Sequence, residues 1–125
     1  MESIAQVGAL KPRGHYSLAL IHQGLIFISG QLSNDMETGE KRPGSLEEET
    51  RRVLGNIDAI LKEAGSSREK VLKTTAFVSS NDDWAIVNRC YAEFFGEHRP
   101  ARSIVPVKEL SGGFKVEIEV IASAE

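Results

Sequence analysis

The chain has 125 residues, one cysteine and a formal net charge of −3, with 41% hydrophobic and 26% charged residues. A chain of this length is expected to form a single domain, residues 1–125, around one hydrophobic core. Lysines and arginines are interspersed among acidic residues, so we expect no nucleic-acid partner, which would require a basic stripe. No apolar stretch approaches the roughly 20 residues that span a bilayer as a helix, so we expect no membrane role.

Two short apolar runs near the start of the chain predict a β-hairpin. They lie at Ser17–Ile21 and Leu25–Ser29, and the three-residue link between them, His22–Gly24, contains glycine. Links of this length and composition are typical of antiparallel hairpins. The polar segment 34–40 is rich in turn-forming residues and is predicted to be a loop.

The middle of the chain predicts a helix followed by a strand. Ser45 and Glu48 have the spacing of a capping box, in which each side chain binds the backbone amide of the other residue. Apolar residues then recur at helical spacing until Gly65, so we expect a helix over 46–64. The β-branched run Val71–Val78 predicts a strand.

A second helix and two strands are predicted for the rest of the chain. The helix carries aromatic residues at helical spacing, begins after a cap at Asn81 or Asp82 and ends at Gly96. Strands are expected near 102–107 and 114–122. The order β-β-α-β-α-β-β indicates an α+β domain, a mixed sheet with both helices packed on one face.

The last strand indicates which groups lie on the uncovered face of the sheet. Val116, Ile118 and Val120 alternate with Glu117 and Glu119, and successive strand residues point to opposite faces. If the apolar set meets the helices, both glutamates project from the other face. The remaining strands are also apolar, so we expect copies of the chain to shield this face in part.

The last two predicted strands carry charged groups that can bind a carboxylate and accept a proton from water. Arg102 lies at the start of the first of these strands, and its planar guanidinium can hold a carboxylate by two parallel hydrogen bonds. A glutamate such as Glu117 can accept a proton from water. The alternatives are structural: Arg102 forms an ion pair with Glu117 or Glu119, and Glu117 is a solvated carboxylate on an open sheet face.

The other reactive side chains are scattered along the chain. Cys90 cannot form an internal disulfide, and nothing adjacent would stabilise its thiolate, so we interpret it as a core or interface residue. His15, His22 and His98 have no metal-ligand spacing, and we expect neither a metal nor an organic cofactor. The first residues lack the basic and apolar regions of a secretory signal, which predicts a cytoplasmic protein.

Several motifs follow one another along residues 14–122. They are Gly14–Ser17, Ile28–Gln31, Thr38–Glu40, Asn56, Val87–Asn88 with Tyr91 and Phe94–Phe95, Pro100–Ser103 and Val116–Glu119. Together they resemble the RidA (YjgF) family of reactive-intermediate imine/enamine deaminases. The resemblance implies a chorismate-mutase-like fold assembled as a homotrimer, whose sheets form a central barrel and whose sites lie between neighbouring subunits.

The resemblance also implies roles for the two charged residues already singled out. Arg102 looks like the arginine that binds the substrate carboxylate. Glu117 looks like the glutamate that holds or activates the hydrolytic water. Both roles would serve the hydrolysis of a 2-imino acid without a cofactor.

Five further residues are implied by the same resemblance to line the substrate pocket. Tyr16, Ser29, Gly30 and Asn88 match pocket positions, and Trp84 stands where family members often have a pocket phenylalanine. The residues alone allow simpler interpretations. Tyr16 suits a hairpin strand, Gly30 suits a β-bulge and Trp84 suits a helix core.

The main functional hypothesis is a deaminase that converts 2-aminoacrylate-type enamines and 2-imino acids to 2-keto acids and ammonia. A second enzyme hypothesis is a pathway-specific enamine-acid deaminase, such as a 2-aminomuconate deaminase. A third is a regulatory trimer that binds a small carboxylate, which would need Arg102 but not Glu117. Some family members are also labelled endoribonucleases, an activity that the negative net charge disfavours.

Overall fold

A computed structural model of the chain describes residues 1–80 and 84–125. Along these residues lie β1 (Glu2–Ile4), β2 (Ala19–His22), β3 (Leu25–Gln31), α1 (Leu46–Glu63), β4 (Val71–Val78), α2 (Trp84–Phe95), β5 (Ala101–Pro106) and β6 (Val116–Ser123). The strands form one sheet in the order β1-β2-β3-β6-β4-β5, antiparallel except for the parallel pair β4 and β5. Two helices packed on a mixed sheet confirm the predicted α+β architecture.

The hairpin is tighter than the sequence predicted. Only Gln23 and Gly24 join β2 to β3, and their φ angles are +49° and +77°. Two consecutive positive φ angles are those of a type I′ turn, whose twist matches that of the paired strands. His22, expected in the link, is therefore the last residue of β2. The three-residue strand β1 was not predicted, because so short a segment shows no clear alternation.

The prediction for the first helix is confirmed to within one residue. The Ser45 hydroxyl accepts a 3.1 Å hydrogen bond from the Glu48 amide, and the Glu48 carboxylate accepts a 3.0 Å bond from the Ser45 amide. The chain turns away at Gly65, whose φ of +78° suits glycine. The predicted caps of α2, Asn81 and Asp82, lie outside the described residues.

The helices cover one face of the sheet. Helix α1 packs against β3, β6 and α2. On β6, Val116, Ile118 and Val120 are at most 3% exposed, whereas Glu117 is half-buried and Glu119 is exposed. This confirms the predicted alternation, so both glutamates lie on the face away from the helices. No helix in the described part of the chain is long and apolar enough to cross a membrane.

The face away from the helices carries an apolar stripe. Strand pairing aligns Leu20, Phe27 and Ile121 across β2, β3 and β6, and Phe27 is 42% exposed. Val105 of the edge strand β5 is exposed as well. Leu20 and Ile121 are partly exposed, and a contiguous apolar patch that the chain does not cover fully is typical of a surface that contacts another protein chain. The homotrimer implied by the resemblance would bury this stripe, and it stays a prediction.

Candidate functional site

The predicted site residues form two separate groups in the fold. One surrounds the Arg102 guanidinium beside α2, and the other surrounds the Glu117 carboxylate on the open face of the sheet. Each group has its own local geometry, which follows from strand pairing.

The first group orients the guanidinium of Arg102. In β5, Arg102 pairs with the fully buried Thr74 of β4, so its side chain points to the helix-covered face. Its Nη1 donates a 3.1 Å hydrogen bond to Oδ1 of Asn88. Its Cζ lies 5.0 Å from the ring centre of Tyr91 and 5.7 Å from that of Trp84, both within cation–π range. These three contacts hold the guanidinium in one orientation.

Arg102 has no carboxylate partner among the residues that the structure describes. Arg102 therefore forms no ion pair with Glu117 or Glu119 of the same chain, and this alternative interpretation of the sequence is wrong. Trp84 is 54% exposed, so the helix-core interpretation of this residue is also wrong. Its indole stands as a wall beside the guanidinium.

A cavity of about 480 Å³ lies next to Arg102, between α2 and the connection to β5. His98 fixes that connection, since its Nε2 lies 2.7 Å from the carbonyl oxygen of Val71. The Tyr91 hydroxyl is buried and makes no hydrogen bond of normal geometry to any residue that the structure describes. Burial raises the pKa of Tyr91 to about 12, although Thr74 and Arg102 oppose the shift. Tyr91 therefore stays uncharged at physiological pH.

The second group is built on a bulge in β3. The pairing of β3 with β6 shifts by one residue between Ile28 and Gln31, which places a β-bulge at Ser29 and Gly30. A Cβ atom at Gly30 would lie 2.3 Å from Oε2 of Glu117. Any residue with a Cβ atom would force the carboxylate to move from this position. Gly30 is thus both a bulge and a point of close approach, and the approaching group is Glu117.

The Glu117 carboxylate is electrostatically suited to accept a proton. Partial burial, with a smaller contribution from the nearby Glu119 charge, raises the pKa of Glu117 above its ordinary value. No described residue donates a hydrogen bond to this carboxylate or forms an ion pair with it. A half-buried carboxylate with a raised pKa and no partner is a candidate general base.

Tyr16 and Ser29 lie near Glu119 on the open face, and Ser29 precedes Gly30, against which the Glu117 carboxylate lies. The Ser29 hydroxyl donates a 2.8 Å hydrogen bond to the Ser17 carbonyl oxygen, which leaves its lone pairs free to accept. The Tyr16 hydroxyl accepts a 3.3 Å hydrogen bond from the Arg13 amide, and its ring is 52% exposed. Both side chains line one groove, and Tyr16 also lines a cavity with Gly30.

The two groups do not meet within one chain. Phe77 of β4 aligns with Glu117 on one side and with Val105 on the other, and Arg102 lies three residues from Val105. Strand geometry then separates Arg102 from Glu117 by about 10 Å along the strands and about 10 Å across them. Their side chains also point to opposite faces of the sheet. A small substrate cannot touch both groups of the same chain.

The sequence interpretation missed three cations that gather around the cavity shared by Tyr16 and Gly30. They are Lys11, Arg13 and Lys41. Their grouping has no sequence signal, because they come from two loops whose approach depends on the fold. Within residues 1–80 and 84–125, no three His, Cys, Asp or Glu side chains are arranged to hold a metal ion.

Comparison with known proteins gives consistent matches over nearly the whole chain. The Endoribonuclease L-PSP family model matches residues 7–124. A RutC family protein of Pyrococcus abyssi is 44% identical over 117 residues, covering 94% of this chain and 92% of that protein. AldR of Lactococcus lactis, described as a candidate regulator, is 40% identical over 125 residues, covering 100% and 99%. The 2-iminobutanoate/2-iminopropanoate deaminase of Rattus norvegicus is 38% identical over 109 residues, covering 87% and 80%.

A solved structure agrees with these sequence matches. The crystal structure of the YjgF gene product from E. coli superposes with a TM-score of 0.91 at 37% identity, covering 100% of both chains. These matches show that the chain belongs to the Endoribonuclease L-PSP (YjgF/RidA) family.

Proposed function

We propose that the protein hydrolyses 2-imino acids and their enamine tautomers, of the 2-aminoacrylate type, to 2-keto acids and ammonia. The observation that carries this proposal is the Arg102 guanidinium, which Asn88 orients and no described carboxylate neutralises. An arginine held in this way is suited to bind a ligand carboxylate by two hydrogen bonds. The name of the rat relative, a 2-iminobutanoate/2-iminopropanoate deaminase, supports the same reaction class.

The proposed site combines residues of two neighbouring copies. One copy supplies Arg102, and its neighbour supplies Glu117 with Tyr16 and Ser29, because the two groups lie on opposite faces of each sheet. The exposed apolar stripe through Phe27 supports association through the open face. A closed ring of three copies, the predicted homotrimer, repeats the same contact at each interface.

In the proposed mechanism, Arg102 holds the carboxylate and so fixes the plane of the protonated imine. Glu117 takes a proton from water as the oxygen bonds to C2 and the electron pair of the C=N bond moves to nitrogen. Glu117 then returns this proton to the amino group. The C–N bond breaks, ammonia leaves, and C2 becomes the carbonyl carbon of the 2-keto acid as its hydroxyl proton is lost.

Mixed oligomers test the proposal. Arg102→Ala and Glu117→Gln should each be nearly inactive when pure, but a site between two chains is complete when Arg102 comes from one variant and Glu117 from the other. Random mixing in equal amounts should restore activity at about a quarter of the sites. Activity is measured as ammonia release from imines generated in situ by an amino-acid oxidase.

Differently tagged chains verify that mixed oligomers form. If they form and remain inactive, the shared site is wrong. If pure Arg102→Ala keeps wild-type kcat/KM, the carboxylate-binding role of Arg102 is wrong.

A second candidate function is a sensor of small carboxylates. The guanidinium of Arg102 and its orienting partners lie within one chain, so an acid could bind there without Glu117. The description of the AldR relative is consistent with this role. Calorimetric binding of 2-keto acids without ammonia release from any 2-imino acid would favour the sensor over the enzyme.

A further inference from the structure

A second cavity, of about 590 Å³, adjoins the Glu117 half of the proposed site. Gly30 forms part of its wall, and the Glu117 carboxylate lies directly against Gly30. Tyr16 belongs to the same wall. A substrate whose reacting carbon lies beside Glu117 can therefore extend its remote end into this cavity.

The charged residues that line this cavity all carry positive charge. They are Lys11, Arg13 and Lys41, and no lining residue in the described part of the chain is an aspartate or glutamate. None of the three forms an ion pair with a residue in the described ranges, although neighbouring cations do. Arg42 pairs with Glu40 at 2.8 Å, and Lys115 approaches the buried Glu49 at 3.9 Å. The cavity thus holds three cationic groups without anionic partners among the residues that the structure describes, in a chain of net charge −3.

One of these cations is held by a hydrogen bond, and a second lies close to a neighbouring loop. The Arg13 side chain donates a hydrogen bond to the Gly39 carbonyl oxygen, which ties it across the cavity to the loop after β3. The Lys41 ammonium lies 3.1 Å from the position that a Cβ atom at Gly112 would occupy. Arg13 also holds Tyr16 through its backbone amide. The positive charge is therefore built into the walls next to a predicted pocket residue.

We infer that the substrate carries a second anionic group, as in a dicarboxylic 2-imino or enamino acid, and that Lys11, Arg13 and Lys41 bind it. This inference rests on the proposed deaminase function and moves the preferred substrate from the monocarboxylic 2-aminoacrylate type to dicarboxylic acids of the same reaction class. The hydrolysis at C2 is unchanged, while the remote carboxylate stays intact and supplies binding energy and orientation. Three cations around a concave cavity suit a small anion better than a polynucleotide, whose binding neutralises a series of phosphates.

The test compares two five-carbon imines that differ in the remote group. 2-Iminoglutarate and 2-iminopentanoate are generated in situ from glutamate and norvaline, and the acceleration over spontaneous hydrolysis is measured for each. We expect kcat/KM to favour 2-iminoglutarate by about tenfold or more, since a charged hydrogen bond in a partly desolvated site has roughly this effect. Arg13→Gln and Lys41→Gln should lower that preference severalfold. Lys70→Gln, an equal charge change on an exposed lysine outside the cavity, should not.

Calorimetry with the two products gives a readout that does not depend on turnover. 2-Oxoglutarate should bind more tightly than 2-oxopentanoate, and Lys41→Gln should reduce the difference. Turnover of both imines with equal kcat/KM, or a preference that survives Arg13→Gln and Lys41→Gln, overturns the inference and leaves the deaminase proposal standing. Turnover of neither imine overturns the inference, and it overturns the deaminase proposal as well if 2-iminopropanoate, generated in situ from alanine, is not hydrolysed either.

Discussion

Replacing Gly30 by alanine should separate catalysis from stability. The added Cβ would lie 2.3 Å from Oε2 of Glu117, 2.8 Å from Cδ and 3.1 Å from Cγ. An ordinary contact of 3.4 Å requires the carboxylate oxygen to move by about 1.1 Å. Displacements of about 1 Å in a catalytic group cost roughly 100-fold in rate. We expect Gly30→Ala to lose about 10- to 100-fold in kcat/KM for a 2-imino acid.

The cost in stability should be smaller than the cost in activity. Gly30 has no positive φ, and the clashing atoms lie at the end of a flexible side chain that can rotate away. We therefore expect a loss of about 1 kcal/mol in the free energy of unfolding, measured by urea denaturation.

Gly55→Ala is the matched control, because a Cβ atom at this exposed position of α1 meets nothing within 4 Å. It should gain about 0.5–1 kcal/mol from helix propensity, raise Tm by about 2–4 °C and keep full activity. Wild-type kcat/KM in Gly30→Ala would refute the assignment of Glu117 to the reaction. A Gly30→Ala protein that unfolds would instead show that the bulge is a stability element.

Two further predictions concern the charged residues of the site. Arg102→Lys keeps the charge but loses the planar guanidinium, so kcat/KM should fall. In Arg102→Ala, kcat/KM should fall further, by about 30- to 1000-fold. If the Arg102→Lys variant is as active as the wild type, bidentate binding of the carboxylate is excluded. The pKa of Glu117 is raised by burial and by Glu119, so its contribution to stability is present below the ordinary value of 4.5 and is lost as pH rises through the raised value. Glu117→Gln should therefore be more stable than the wild type near neutral pH and lose that advantage in acid, while the wild-type kcat/KM should rise with pH over the same range. Denaturation curves and pH–rate profiles check both signs, and a rate that does not change across this range would exclude Glu117 as the base.

Local sequence signals predicted most of the fold because each had one clear physical interpretation. The capping box at Ser45 fixed the start of α1, and the β-branched run from Val71 fixed β4 to the residue. The length of the hairpin link was harder to predict, since a link that ends at Gly24 can contain two or three residues. The choice between them depends on the φ of Gln23, which composition does not specify.

The candidate site was harder to predict because its geometry depends on which alternate residues of β5 and β6 face the helices. In β5, Arg102 shares a face with Ile104, while Ser103 and Val105 share the other face, and both faces therefore carry an apolar residue. Alternation alone could not decide which face meets the helices. The face to which Arg102 points decides whether its guanidinium can reach Glu117, and only the pairing of β5 with β4 determines that face.

The placement of Arg102 and Glu117 on opposite faces links the proposed activity to protein abundance. Because the sheet keeps the two groups apart, a single folded chain cannot form the complete proposed site, however stable its fold is. Specific activity should then fall on dilution once the concentration approaches the dissociation constant of the assembly. A substitution in the apolar stripe around Phe27 would reduce turnover without touching a reacting atom, and a concentrated sample would recover what a dilute one had lost.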